Sequence, residues 1–230
     1  MIEVLFDNQN INSRFDIFLA ERPVIPSAEM AYETITVPGR DGALTREIGY
    51  KTKPISLRFN YIHKENVKKT FRDITNWLTN KKTIRLTDDL IGYRVITQLN
   101  IKDATNDLKG YADFVINLET EPFWYENAGV ETITSGTTTI ANPSVIETGV
   151  VMTVYGTGTC RVRVNDNQMV FMDVQDFVIV DGLRGIAHKH DASQDNKMSG
   201  RYPVFLPGNN EIEVGGAITR VEIEKRWSWR

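Results

Sequence analysis

The residues best suited to chemistry stand in "HKHD", His188 to Asp191. Residues two apart on a strand point the same way, so two imidazoles and a carboxylate there could bind zinc. The sequence names no third or fourth ligand, and the turn-rich "DASQDNKMSG" that follows suits a solvated strand end equally well. The reading therefore assigns no metal. The other histidine, His63, leaves a histidine-based nucleophile relay few places to stand. Glu121, Glu126, Asp173, Asp176 and Asp181 can be paired on paper as a glycosidase acid and nucleophile, but the distance between carboxylates in space decides that mechanism. Solvated strand edges and turns are the plainer reading of these acids. With no P-loop, G-x-G-x-x-G after a strand, H-E-x-x-H, G-x-S-x-G or EF-hand loop, the sequence gives no catalytic residue and no cofactor.

Two stretches suit binding better than catalysis. The closing "RWSWR" puts Trp227 and Trp229 on one face of a strand, where paired aromatics could stack sugar rings or fill a core or interface. "GRDG", Gly39 to Gly42, could present Arg40 and Asp41 across a subunit boundary. Alternatively it is a tight turn whose charges lie in solvent, where an ion pair contributes only about 0 to 1 kcal/mol.

The elements that must carry these residues are mostly strands. "ISLRFNY" sets Ile55, Leu57, Phe59 and Tyr61 on one side and Ser56, Arg58 and Asn60 on the other. The helical spacing of Val67, Phe71, Ile74, Trp77 and Leu78 predicts one packed helix over about 64–80, with lysines opposite. Strands resume at Ile84 and Leu86, at Tyr93, Val95 and Leu99, and at Phe114, Ile116 and Leu118. Five threonines in the eight residues from Thr132 to Thr139 mark a linker. We read 1–130 as an N-terminal β domain with the helix, 131–147 as the linker and 148–230 as a C-terminal β-sandwich. Within the last part, "NDNQ" and Asp181-Gly182 signal turns, and "DFVIVDG" reads as buried on both faces. Ile212 and Val214, then Val221 and Ile223, face inward against alternating glutamates.

The whole chain bounds the function. Its 230 residues are 41% apolar, enough for a buried core. A net charge of −3 comes from 27 basic and 30 acidic residues mixed along the sequence, without the one-signed stripe that phosphate binding needs. Sequence-specific nucleic-acid binding is disfavoured. One cysteine, Cys160, excludes an internal disulfide and fits synthesis in a reducing cytosol. The opening "MIEVLFDNQN" reads as a strand, not a secretory signal, and no apolar stretch nears the roughly 20 residues that cross a bilayer, so no membrane insertion is expected.

Taken in order, several of these pieces resemble the siphophage distal tail proteins called Dit. The likeness rests on "VPGRDG" followed by "KPISLRFNY", the single amphipathic helix, "EPFWYEN", "VYGTGTCRVRVN", "SGRYPVFLPGNNEIEVGG" and "VEIEKRW". The resemblance implies a structural virion protein at the distal end of a phage tail, made in the host cytoplasm and not an enzyme. It implies a mainly β fold whose C-terminal sandwich is like a galectin or carbohydrate-binding module. It further implies a homo-oligomeric ring, six-membered in the family, that serves as a baseplate hub. Such a ring joins the tail tube to the tail-associated fibre or lysin protein and to host adhesion, carries receptor-binding protein in some cases, and leaves a channel for the tape-measure protein and DNA. The alternative is a carbohydrate-binding module of a host-recognition protein, with Trp227 and Trp229 as its platform.

Overall fold

The structure, a computed structural model, describes residues 2–62, 66–89, 92–106, 108 and 110–230. It is mainly β, with one long helix. Two compact units divide the chain, Met1–Trp124 with Arg230 and Tyr125–Trp229.

The first unit runs β1 (Val4–Phe6), β2 (Gln9–Asn10), α1 (Ile11–Phe15), β3 (Ile17–Leu19), β4 (Met30–Thr36), β5 (Ala43–Tyr50) and β6 (Lys53–Ile62). α2 (Val67–Leu78), β7 (Thr83–Leu86), β8 (Gly92–Ile101) and β9 (Tyr111–Thr120) follow. The alternation of β6 holds: Ile55, Leu57, Phe59 and Tyr61 are buried while Ser56 and Arg58 are exposed. β9 pairs antiparallel along its whole length, from Lys53 opposite Thr120 to Ile62 opposite Tyr111. Phe59 stacks on Phe114 at 5.6 Å. β3 covers β6 only from Phe59 to Tyr61, and β8 lies on the far side of β9. β7, β1 and β2 continue from the start of β8.

The helix spans Val67–Leu78 against the expected 64–80, and residues 63–65, with His63, lie outside the described residues. Its start is set by Asn66, whose side-chain oxygen accepts the Lys69 N–H at 2.9 Å and satisfies one of the open donors of the first turn. Val67, Ile74 and Leu78 are buried, each stabilising the unit by about 1.5 to 3 kcal/mol relative to exposure. Trp77 meets Phe6 edge-on at 6.1 Å.

Within the first unit, one strand departs from the expected pattern. In β8 it is Arg94 and Ile96 that are buried, with Tyr93 and Val95 half-exposed. A register shift between Ile96 and Gln98 then lets Leu99 pack on the same core. A bulge swaps the faces of a strand, so alternation read across it assigns one half wrongly.

The second unit holds β10 (Trp124–Ile133) from Tyr125 on, β11 (Gly136–Asn142), β12 (Thr148–Gly149), β13 (Val151–Val164), β14 (Asn167–Asp181) and β15 (Ile186–Lys189). β16 (Ala192–Ser193), a 3-10 turn (Asp195–Lys197), β17 (Met198–Ser199), β18 (Val204–Phe205) and β19 (Gly208–Trp229) complete it. β13 is sandwiched in the ladder between β14 and β19, and Val154, Val162, Met169, Phe171, Ile212, Val221 and Ile223 form the core beneath. The stretch read as a linker, 131–147, contains β11, paired with β19 from Gly136 opposite Val214 to Asn142 opposite Gly208. Its threonines are β-branched, and a half-buried pleated surface suits them as well as a loop does. "DFVIVDG" is buried on one face only: Val178 and Val180 face in, Phe177 and Ile179 are half-exposed.

The two strands expected near the C-terminus are a single 22-residue strand, β19. It bends at Gly216, where φ is +75° and a Cβ would lie 2.6 Å from the Thr159 carbonyl oxygen. Only glycine fits there. β14 is also kinked, at Asp173 (φ 51°) and Asp176 (φ 74°). Among the described residues, the edge of β14 facing away from β13 is paired only at Val170–Phe171, by β17, and at Ile179–Asp181, by β15.

Candidate assembly surfaces

Among the described residues, β4 and β5 pair only with each other, from Met30 opposite Tyr50 to Thr36 opposite Ala43. Their turn contains the "GRDG" residues: Gly39 and Gly42 have φ of +80° and +78°, and the Arg40 N–H donates to the Val37 carbonyl at 3.2 Å. A left-handed backbone at both points is what the two glycines make cheap. Arg40 and Asp41 are exposed, and no ion pair joins them to another described residue. Every residue from Tyr32 to Gly49 is exposed, Tyr32, Ile35, Leu44 and Ile48 among them. Ile35 lies opposite Leu44, next to an Arg46–Glu33 ion pair of 2.7 Å. A lone two-stranded hairpin is marginal in water, and an apolar face on one marks a contact surface.

The base of this arm is fixed. Glu29 accepts from Lys51 and, at 3.2 Å, from the buried Lys53, and these two ammonium groups, Lys51 first, hold its carboxyl below the usual range. The chain just before it, Pro23–Pro26, has no ladder partner and presents Val24 at 85% and Ile25 at 76% exposure. Two prolines fix φ on either side of that apolar pair.

Arg94 anchors the segment from within. Fully buried, it donates to the carbonyls of Pro26 (2.7 Å), Glu121 (3.2 Å) and Pro122 (3.1 Å), and its guanidinium lies 4.2 Å from the Trp124 ring centre. Five donors in a rigid plane suit this clamp; lysine has neither the number nor the shape. Beside the ridge lies a groove of about 240 Å³ with Ile2, Ile25, Leu86 and Trp124 in its walls. Arg22 and Asp88, 3.8 Å apart, stand at its rim. Neither ridge nor clamp gave a sequence signal, because a lone arginine in a strand pattern reads as outward-facing.

The remaining sequence candidates have structural roles. Trp227 is 5% exposed, tilted against Phe205 at 6.2 Å in the core of the second unit. Trp229 packs on the same core and donates its Nε1–H to Glu126 at 3.0 Å. Their shared face points inward, so the pair offers no open platform for a sugar ring. His188 Nδ1 is 2.9 Å from the His190 carbonyl oxygen, and among the described residues no three His, Cys, Asp or Glu side chains converge to hold a metal ion. Asp181 accepts the N–H groups of Leu183 (2.9 Å) and Arg184 (3.1 Å), closing the turn after β14. One well-bonded acid is a residue the sequence did not single out. Asp195 accepts from the Ala187 N–H, the Tyr202 hydroxyl and Ser193, which together lower its pKa, while the bond to Asp195 raises that of Tyr202.

Residues 8–120, the arm and ridge included, match the phage tail protein RIFT-related domain, Sipho_tail. Along 99% of both chains the structure is similar to the Dit protein (gp 19.1) of SPP1, a hub of the adsorption apparatus in phages infecting Gram-positive hosts, with a TM-score of 0.67 at 12% identity. By fold the chain is Dit-like. A chain of the phage P2 baseplate in its activated conformation with Ca is also similar, with a TM-score of 0.57 and 14% identity over 99% of this chain and 98% of that one. Comparison with curated proteins finds no match to the Dit-like chain in sequence. No helix among its described residues is long and apolar enough to cross a membrane.

Proposed function

We propose that this protein is a structural component of a phage tail tip, a hub that assembles from copies of itself into a ring, six-membered as the resemblance implies. The observation that carries the reading is the exposed β4–β5 arm, within a phage tail domain whose whole chain has the fold of a Dit hub protein. Such a ring joins the tail tube to the fibre or lysin protein at the tail end and leaves a channel for the tape-measure protein and DNA. The second unit, as a galectin-like or carbohydrate-binding-module-like sandwich, faces the host-adhesion apparatus and holds receptor-binding protein. The ring sits at the distal end of the virion tail after synthesis in the host cytoplasm. It performs no catalysis. Light scattering over a concentration series, with negative-stain microscopy of the heaviest fraction, tests this directly. Annular particles near six times the 26.2 kDa monomer are expected; a monomer at every concentration contradicts self-assembly.

Glycan recognition by the second unit is a second reading, favoured by one observation. On the outward face, Arg220 lies 3.7 Å over the Tyr155 ring, Tyr155 is 5.9 Å from Phe177, and Phe177 is 5.4 Å from His190. This half-exposed aromatic row is where a sugar would stack, in place of Trp227 and Trp229. Glycan-array binding that disappears on Phe177→Ala supports it, and the absence of any glycan signal removes it.

A further inference from the structure

We propose that Asp41 is a site of spontaneous covalent modification: its side chain closes onto the Gly42 nitrogen and reopens as isoaspartate, with no enzyme required. The chemistry belongs to the chain itself and does not depend on the ring reading. The Gly42 backbone nitrogen attacks Cγ of the protonated Asp41 carboxyl. The N–Cγ bond forms, the C–OH bond breaks, and the hydroxyl leaves as water with the amide proton. Water then opens the five-membered succinimide. Addition at the side-chain carbonyl restores aspartate, while addition at the main-chain carbonyl routes the backbone through Cβ and frees the α-carboxylate. Nothing is oxidised or reduced, and the net composition is unchanged.

Closure needs a free attacking nitrogen and a backbone that can swing it onto the carboxyl. The sequence has two Asp-Gly pairs, and the fold treats them in opposite ways. Asp41 and Gly42 are both exposed at the tip of the β4–β5 hairpin. Among the described residues no hydrogen bond engages the Gly42 N–H or the Asp41 carboxylate; the turn is closed earlier, by the Arg40 N–H on the Val37 carbonyl at 3.2 Å. No atom lies within 4 Å of where a Cβ on Gly42 would stand, so nothing around this glycine resists rotation. A lone hairpin is marginal in water, and loop tips are where a chain most readily accepts change.

At Asp181-Gly182 the same pair is locked. Asp181 is 7% exposed, and its Oδ1 accepts the N–H groups of Leu183 and Arg184. The Gly182 N–H donates to the Val150 carbonyl at 2.9 Å, and a Cβ on Gly182 would collide with the Pro203 carbonyl oxygen. Its nitrogen is occupied and its backbone has no room to turn. One chain thus carries both the reactive pair and an internal control.

The test uses the full wild-type chain, held at neutral pH and physiological temperature and sampled over weeks. Cleavage after glutamate releases residues 34–47, and cleavage after arginine releases residues 164–184. The 34–47 peptide is expected to split into two chromatographic peaks of equal mass, the new one growing with time and accepting a labelled methyl group from an isoaspartate methyltransferase. The 164–184 peptide is expected to stay a single peak. In urea, where the fold protects neither pair, both peptides should convert. Asp41→Ser removes the carboxyl and should leave the 34–47 peptide unlabelled. A 34–47 peptide that converts no faster than 164–184 in the folded chain overturns the site. If 164–184 also stays single in urea, the fold is not what separates the two pairs, and the argument from the free Gly42 nitrogen fails with it.

Discussion

Arg94 is where the largest single effect is expected. Arg94→Met keeps an unbranched apolar stem in the cavity and removes the guanidinium. Three carbonyls, of Pro26, Glu121 and Pro122, then lose their donors, and Trp124 loses the cation over its ring. At about 1 kcal/mol net for each hydrogen bond, and about 0.5 to 2 for the ring contact, the loss comes to roughly 3 to 5 kcal/mol. For a unit of this size that corresponds to a fall in melting temperature on the order of 10 to 20 °C. Differential scanning calorimetry on the full chain is the assay, with limited proteolysis mapped by mass spectrometry as the local readout. Cleavage is expected to rise first around Pro23–Pro26, because that segment is tied to the unit through the Pro26 carbonyl. Arg94→Lys keeps the charge but not the fork, and should recover less than half of the loss. A melting temperature for Arg94→Met within about 2 °C of wild type, with unchanged proteolysis, would show that the clamp contributes nothing and that the ridge is held by its prolines alone.

Other perturbations separate the remaining roles. Trp227→Ala should lower stability by about 3 to 5 kcal/mol in a denaturant melt, as expected for a large ring removed from a core, and should not change any glycan signal. Gly42→Val places a β-branched residue at φ +78° in an uncrowded turn; it should cost about 1 to 2 kcal/mol locally and reduce ring formation by light scattering without shifting the melt of the second unit. Asp195 has a lowered pKa in the fold, so its contribution is present above the ordinary carboxylate value of about 4 and is lost as pH falls through the lowered one. The stability gap between wild type and Asp195→Ala should therefore be constant near neutrality and close below about pH 4 in a pH series of thermal melts.

How much of this was legible follows the physics of each signal. β6 and α2 were readable because one face of each is buried without interruption, so period 2 and period 3.6 survive intact in the sequence. Asn66 was not read as a cap, although its side chain sets the helix start. β8 misled because its register shift moves the buried set from Arg94 and Ile96 to Leu99, and no residue type announces a shift of that kind. Thr132–Thr139 misled because threonine suits both a linker and a strand, and the deciding partner, β19, lies some seventy residues away in the chain. The tryptophans were placed correctly on a common face, but alternation cannot say which of two faces points inward. For the arm, the turn chemistry of Gly39 and Gly42 was visible, while its isolation from the other strands of the described residues was not.

The kinks in β14 bear on a different hazard. Between Phe171 and Ile179 its outer edge has open backbone groups, the kind of edge that recruits stray strands into aggregates. Asp173 and Asp176 break the straightness a recruited strand would need, and Lys189 reaches across to bond the Gln175 carbonyl. A chain that gathers in many copies, as proposed above, can tolerate adhesion at chosen places only. β14 shows how the sequence keeps a long strand from becoming an unplanned one: it spends two left-handed aspartates and a lysine on staying unattractive.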